Sequence, residues 1–120
     1  MTILVSACGS SIGLEVARSL KMAGRSERVI GSEVSWWGKR VAQQYCDQVL
    51  ILPHGNDPNY LMSIKETIAE QSVDLVFINT EPELEAIVDS RDEFGVVMSC
   101  PAEHGLRACL NKQVLHDRLA

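Results

Sequence analysis

The chain has 120 residues, four cysteines, three histidines and a formal net charge of −5 from 16 acidic and 11 basic side chains. That length suits one domain with a real core and is short for a complete cofactor-dependent enzyme, so a second domain is expected elsewhere. The basic residues are scattered and no apolar stretch reaches bilayer length, which argues against a nucleic-acid surface and against a membrane span.

Ile3-Leu4-Val5 carries two β-branched residues, as a strand buried on both faces does, and it empties into Ser6-Ala7-Cys8-Gly9-Ser10-Ser11-Ile12-Gly13. Such small residues predict a tight loop. Ile12, Val16, Leu20 and Ala23 then recur at helical spacing up to Gly24, which stands where a C-terminal cap belongs. Strand, glycine loop and helix make the first half of a Rossmann-like βαβ unit, in which backbone N–H groups and the helix dipole face an anion. As a dinucleotide fingerprint the loop is incomplete, with Ala7 in the first glycine position ahead of Gly9 and Gly13.

After a turn at Arg25-Ser26-Glu27, the second strand, Arg28 to Ser32, delivers Glu33 about twenty positions beyond Gly13, where the Rossmann pattern sets a carboxylate against a ribose hydroxyl. An exposed loop carboxylate is the alternative. Trp36 and Trp37 cannot both face one core from a helix, so at least one lies near the surface, roofing the end of the sheet or stacking on a ligand or a neighbouring domain. A short helix over Lys39 to Cys46, with Val41, Ala42 and Tyr45 inward, leads to a third strand, Gln48 to Leu52, closed by Pro53.

Asn56-Asp57-Pro58 predicts a helix start with Asp57 as cap and Pro58 in the first position, and Leu61, Ile64 and Ile68 mark its inner side as far as about Gln71. Asp74 to Ile78 is the most apolar strand and is expected at the centre of the sheet. It ends in Asn79-Thr80-Glu81-Pro82-Glu83, an amide and two carboxylates at a strand's carboxyl end. Thr80 and Glu83 have capping-box spacing, and Glu81 is the alternative cap because Pro82 disfavours helical geometry before it. Leu84, Ile87 and Val88 bury the next helix, and Gly95 to Met98 is a fifth strand. One helix carrying Leu106, Cys109 and Leu110 follows, then another capped by Asn111 that runs through Val114, Leu115 and Leu119. Strands alternating with helices require a parallel sheet with helices on both faces and right-handed crossovers.

Cys8, Cys46, Cys100 and Cys109 form no C-x-x-C pair and no metal-ligand spacing with His54, His104 or His116, so reduced thiols are expected, with neither zinc nor disulfide. Cys8 sits near a helix N-terminus, which lowers thiol pKa, but without an evident catalytic partner it reads as a small loop filler. Met1 leads straight into a strand with no basic segment or cleavage site, and the expected compartment is the cytoplasm.

In order and spacing these segments resemble the amino-terminal, pre-ATP-grasp domain of ATP-grasp enzymes, especially those like the carbamoyl-phosphate synthase large subunit. The resemblance spans Thr2 to Ala120. It rests on Ile3-Leu4-Val5 with the Gly9 and Gly13 loop, Tyr45-Cys46-Asp47 before a strand ending in Pro53, Asp57-Pro58-Asn59-Tyr60, Asp74, Glu81-Pro82-Glu83-Leu84 and Asn111-Lys112. The family usually has Asp-Lys where Asn111-Lys112 stands, and a richer glycine loop.

The resemblance implies an α/β fold: a Rossmann-like, doubly wound, parallel five-stranded sheet of order 3-2-1-4-5, in three layers, α/β/α. It implies a pre-ATP-grasp domain over residues 1–110, with 111–120 starting the connection to an ATP-grasp domain of the same polypeptide. The expected partners are that domain and a small-molecule carboxylate or amine, with a homodimer as a further arrangement. ATP and Mg2+ are then cofactors of the parent enzyme, with none expected in this fragment, which should be inactive alone and hold no catalytic residue and no metal site. By position Gly9, Ser10 and Ser11 would meet an anionic substrate end. Glu33, Asn79 and Thr80 would complete the substrate side, Glu81 and Glu83 would meet an amine or the reacting group, and Lys112 an ATP phosphate. Loop N–H groups favour anions, carboxylates favour ammonium and a lysine favours phosphate. Helix-dipole complementarity is the plainer reading of Glu81 and Glu83, and a solvated helix lysine that of Lys112. The runner-up function is an NAD(P)- or nucleotide-binding Rossmann domain using Gly9, Gly13 and Glu33, against which stands the lack of a Tyr-x-x-x-Lys pair. A stand-alone sensor or interface module is a third.

Overall fold

Five parallel strands, β1 (Thr2–Val5), β2 (Arg28–Glu33), β3 (Gln48–Ile51), β4 (Leu75–Phe77) and β5 (Val97–Met98), pair in the order β3-β2-β1-β4-β5. They are seen in a computed structural model that describes residues 1–24, 27–100 and 111–119. The turn residues Arg25 and Ser26 and the segment with Leu106, Cys109 and Leu110 lie outside the described residues. The expected strand order holds, and apolar β4 is an interior strand, paired on one side with β1 and on the other with β5, while β1 holds the middle place.

Side chains alternate across the sheet and sort into two cores. Leu4, Ile30, Val76 and Met98 point to one face, where α3 (Tyr60–Glu70) and α4 (Glu81–Ile87) supply Tyr60, Ile64, Ile68 and Ile87. Ile3, Val5, Val29 and Val49 point to the other, where α1 (Ser11–Met22) and α2 (Trp36–Ala42) supply Val16, Leu20 and Ala42. Three layers result. Leu4, Ile30, Ile64, Val76 and Ile87 are fully buried, and each contributes about 1.5–3 kcal/mol of transfer free energy. Two carboxylates pin strand ends: Asp74 Oδ2 accepts the Thr2 N–H at 2.8 Å and Asp47 Oδ2 accepts the Val29 N–H at 2.7 Å.

Helix α1 is capped by Ser10, whose Oγ accepts the Gly13 N–H at 3.3 Å, and beyond its end Gly24 takes φ +67°, the left-handed residue expected there. Its buried side is Gly13 and Ala17, while Val16 and Leu20 are half-buried and Ile12 is exposed. Small residues face inward because the helix backbone lies against the loop that precedes it.

Two helix starts correct the expectation, and a third decides between its alternatives. Helix α2 begins at Trp36 and ends at Ala42, because Ser35 Oγ accepts the Gly38 N–H at 2.9 Å and fixes an earlier start than Lys39. Both tryptophans are exposed, 65% and 75%, so neither roofs the sheet. Helix α3 begins at Tyr60: Asp57 Oδ1 accepts the Asn59 N–H at 2.8 Å and the Asp57 carbonyl accepts the Tyr60 N–H, so Asp57 and Pro58 form a turn ahead of the helix. At α4, Thr80 takes the cap position without a side-chain bond, and Glu81 is already helical. Pro82 is tolerated there because first-turn N–H groups have no intrahelical acceptor. Helix α5 (Lys112–Leu119) follows Asn111, whose Oδ1 accepts the Gln113 N–H at 3.0 Å. No helix among the described residues is long and apolar enough to cross a membrane.

Candidate functional site

The chain leaves β1 toward one face of the sheet and leaves the neighbouring β4 toward the other, so the connections diverge between these two strands. Open α/β sheets place ligands at such a divergence, beyond the carboxyl ends of the strands. A crevice of about 180 Å³ lies there, with Ala7 and Ser10 from the glycine loop on one wall and Thr80 and Glu83 from the β4–α4 loop on another. Glu33 and Val34 after β2, and His54, Gly55 and Tyr60 after β3, complete it.

The glycine loop is shaped by close backbone approach. A methyl group on Gly13 would overlap the Ala7 carbonyl oxygen, and one on Gly9 would lie 2.5 Å from the Gly38 carbonyl oxygen. Ala7 itself holds φ +46°, a left-handed conformation that the first glycine of a full fingerprint would adopt without strain. Ala7→Gly is therefore expected to stabilise the fold by about 1 kcal/mol. Urea unfolding measures it, and a lower midpoint for the variant would show that the methyl group contributes more in packing than the strained backbone costs.

The loop's polar groups are largely engaged with the chain itself. Ser10 Oγ donates to the Ala7 carbonyl at 2.6 Å while accepting from Gly13 N–H. Gly9 N–H donates to Glu33 Oε2 at 2.9 Å, and Val34 N–H to Glu33 Oε1 at 3.1 Å. Glu33 thus bridges the end of β2 and the glycine loop, its side chain resting on Gly38, where a methyl group would overlap it. Ser11 lies off the crevice, on the flank of α1 with Ile12, Val16 and Phe77.

On the opposite wall the predicted residues separate. Asn79 ties the two loops together, its Nδ2 donating to the Ser6 carbonyl at 2.8 Å and its N–H to Ser6 Oγ at 2.9 Å. Glu81 is exposed at the start of α4 and does not line the crevice. Glu83 is 7% exposed and turns inward, where its Oε2 accepts the Tyr60 hydroxyl at 2.8 Å. Burial, with the adjacent Glu83 carboxylate, pushes the Tyr60 hydroxyl pKa well above the usual phenol range, so it stays a neutral donor. Lys112, at the start of α5, is exposed and away from the crevice lining.

His54, Gly55 and Tyr60 were not among the predicted site residues. A signal for them exists: every strand-to-helix connection of a parallel sheet opens at the same edge, so the β3–α3 loop belongs to the site by topology alone. Gly55 is required by packing, since a methyl group there would lie 2.5 Å from the Glu83 nitrogen. The crevice lining holds two carboxylates, an imidazole and several hydroxyls, with no Lys or Arg. That favours an ammonium or a hydroxyl group over an anion within it. Among the described residues no group of three or more His, Cys, Asp or Glu is placed to hold a metal ion.

A family model described as PylC-like, N-terminal domain, matches residues 3–99. Among solved structures, the biotin carboxylase domain of a thermophilic 2-oxoglutarate carboxylase bound to bicarbonate is similar, with a TM-score of 0.65 and 16% identity, over 97% of this chain and 26% of that one. This chain therefore spans little more than a quarter of that structure's length. A short-chain dehydrogenase from Streptomyces avermitilis has a TM-score of 0.52 and 20% identity, over 73% of this chain and 37% of its own. YwfH, an NADPH-dependent reductase involved in bacilysin biosynthesis, has a TM-score of 0.56 and 12% identity, over 97% and 64%. At these identities the likenesses show the fold alone. No curated protein sequence matches the chain.

Proposed function

The chain belongs to the PylC-like N-terminal domain family, and we propose on that footing that it is the substrate-side, pre-ATP-grasp domain of an ATP-grasp ligase. Such a ligase joins a carboxylate to an amine or another nucleophile through an acyl-phosphate. The family match over residues 3–99 carries the reading. The likeness to a biotin carboxylase domain across nearly the whole chain supports it at the level of fold. The order of Tyr45-Cys46-Asp47, Asp57-Pro58-Asn59-Tyr60 and Glu81-Pro82-Glu83-Leu84 favours, within that class, an enzyme built like the carbamoyl-phosphate synthase large subunit.

In this reading the domain binds and orients a substrate, and residues 111–119 lead toward the ATP-grasp part of the same polypeptide. ATP and Mg2+ would supply the phosphoryl chemistry there, with Lys112 as a candidate phosphate contact. Glu83, held by Tyr60, and Glu33, held by Gly9, offer carboxylate oxygens to an ammonium or hydroxyl group in the crevice. Thr80 flanks them and Asn79 fixes the wall. Because Gly9 N–H is engaged by Glu33, and Ser10 N–H and Oγ both donate to the Ala7 carbonyl, an anionic substrate end falls to the first turn of α1 at Ser11, beside the crevice and not within it. Glu81, exposed on the rim, would face whatever closes over the crevice.

The parent polypeptide, given ATP, Mg2+, a carboxylate and an amine, is expected to release ADP only when both substrates are present, while this chain alone stays at background. Sustained ATP turnover by the chain alone, lost on Lys112→Ala, would overturn the proposal. The dinucleotide alternative is tested by calorimetric titration with NAD and NADP, for which no micromolar binding is expected because Glu33 and Gly9 N–H already satisfy each other. Micromolar binding abolished by Glu33→Ala would favour that alternative.

A further inference from the structure

Gly31 stands in the middle of β2, where glycine weakens a strand and often marks close approach by another group. The approaching groups are two thiols. A methyl group on Gly31 would overlap Cys8 Sγ and lie 3.0 Å from Cys46 Sγ, so both sulfurs fill the space that a side chain at this position would occupy. Cys8 comes from the glycine loop and Cys46 from the turn between α2 and β3, yet the two meet over one α-carbon. We propose that Cys8 and Cys46 are a redox pair, forming a reversible disulfide between the glycine loop and the α2–β3 turn on exposure to a hydroperoxide.

The surroundings give the two sulfurs different parts in the reaction. Cys46 is half-buried, whereas Cys8 has no exposed surface. The hydrogen bond between the thiols lowers the Cys46 pKa and Lys21 acts in the same direction, against burial and the Asp47 carboxylate, which raise it. Lys21 is held nearby, donating to the Gln44 carbonyl at 2.5 Å. Cys8 keeps its proton, since the same hydrogen bond, burial and the Glu33 carboxylate all raise its pKa. Cys46 is thus the attacking sulfur and Cys8 the resolving one.

In the first step the Cys46 thiolate attacks a peroxide oxygen, the O–O bond breaks, and Cys46 becomes a sulfenic acid as the peroxide is reduced to water or an alcohol. The Cys8 sulfur then attacks the Cys46 sulfur, the S–O bond breaks, and water leaves with the Cys8 proton. Two thiols are oxidised by two electrons and one hydroperoxide is reduced. Because Gly9 N–H holds Glu33 in the crevice, a bond at the adjacent Cys8 fixes the loop that carries this contact.

The experiment uses the whole chain with hydrogen peroxide, followed by denaturation, alkylation with N-ethylmaleimide and mass mapping without reductant. The expected product has lost two hydrogens, takes up maleimide at two of the four cysteines, and yields one cross-linked peptide containing Cys8 and Cys46. Dithiothreitol restores all sites. Cys46→Ser should give no such cross-link, and Cys8→Ser should leave a sulfenic acid on Cys46 that a dimedone probe traps. The proposal fails if all four cysteines remain alkylatable, if the cross-link involves Cys100 or Cys109, or if Cys46 gains two oxygens while Cys8 stays free. The wild-type map decides even if a serine variant does not fold.

Discussion

Gly13→Ala is expected to lower the stability of the domain by about 3 kcal/mol, at the upper end of the usual overpacking cost, and the melting temperature by roughly 10 °C. Alanine is otherwise the better helix residue, by about 1 kcal/mol, so intrinsic propensity predicts the opposite sign. The close approach decides. An added methyl group would overlap the Ala7 carbonyl oxygen and lie 2.8 Å from the Ser6 carbonyl oxygen, and both are backbone atoms with no rotamer to yield. Either the glycine loop opens or α1 lifts from the sheet, and both moves disturb the contact of Val16 and Leu20 with Ile3, Val5 and Val29. Gly24→Ala is the control: a methyl group there meets no atom within 4 Å, and only the backbone φ of +67° resists it, at a cost of about 1 kcal/mol. Scanning calorimetry of the two variants separates the effects. Equal losses would show that α1 does not rest on the loop.

Tyr60→Phe is expected to cost about 1–3 kcal/mol, because it leaves the carboxylate of Glu83 buried without the donor that holds it. The pair joins the start of α3 to the first turn of α4 at 2.8 Å, so the loss should appear both in global unfolding and as looser binding of any crevice ligand. Glu83→Gln should cost less, since its amide oxygen still accepts from the phenol. Alkaline pH gives an independent reading. The folded-state pKa of Tyr60 is raised by burial and by Glu83, so its contribution is full below the unfolded value of about 10 and is lost as pH rises beyond it. Wild-type stability should therefore fall more steeply above about pH 10 than that of Tyr60→Phe. Parallel curves for the two proteins would place the phenol in contact with water rather than with Glu83.

Glu33 stands out by its distance from Gly13, and the structure sets it at the crevice, though its oxygens turn to Gly9 N–H and Val34 N–H. Glu81 and Glu83 look equivalent in the sequence, two carboxylates flanking a proline. One turn of helix makes them different: position 81 opens α4 on the exposed side, while position 83 is rotated beneath it toward Tyr60. Which way α4 rolls on the sheet depends on Ile87 and Val88 finding the core, and no local pattern contains that. His54 and Gly55 carry no motif and enter the site because of where the chain reverses after β3.

Alternating strands and helices, the order of the apolar runs, and the caps at Gly24 and Asn111 follow from local chemistry, because periodicity and backbone freedom act over a few neighbouring residues. From them the sequence by itself determines a doubly wound parallel sheet and the glycine loop at its first turn. The starts of α2 and α3 depend on where a polar side chain accepts a nearby N–H: Ser35 accepts from Gly38 and starts α2 ahead of Lys39, and Asp57 accepts from Asn59 in a turn ahead of α3 instead of capping it. Only the tertiary structure makes Ala7 left-handed, brings Cys8 and Cys46 together over Gly31, and buries Glu83 against Tyr60. Each of these joins residues of separate segments or strains one to fit its neighbours, and such contacts exist only after the sheet has set the distances between its loops.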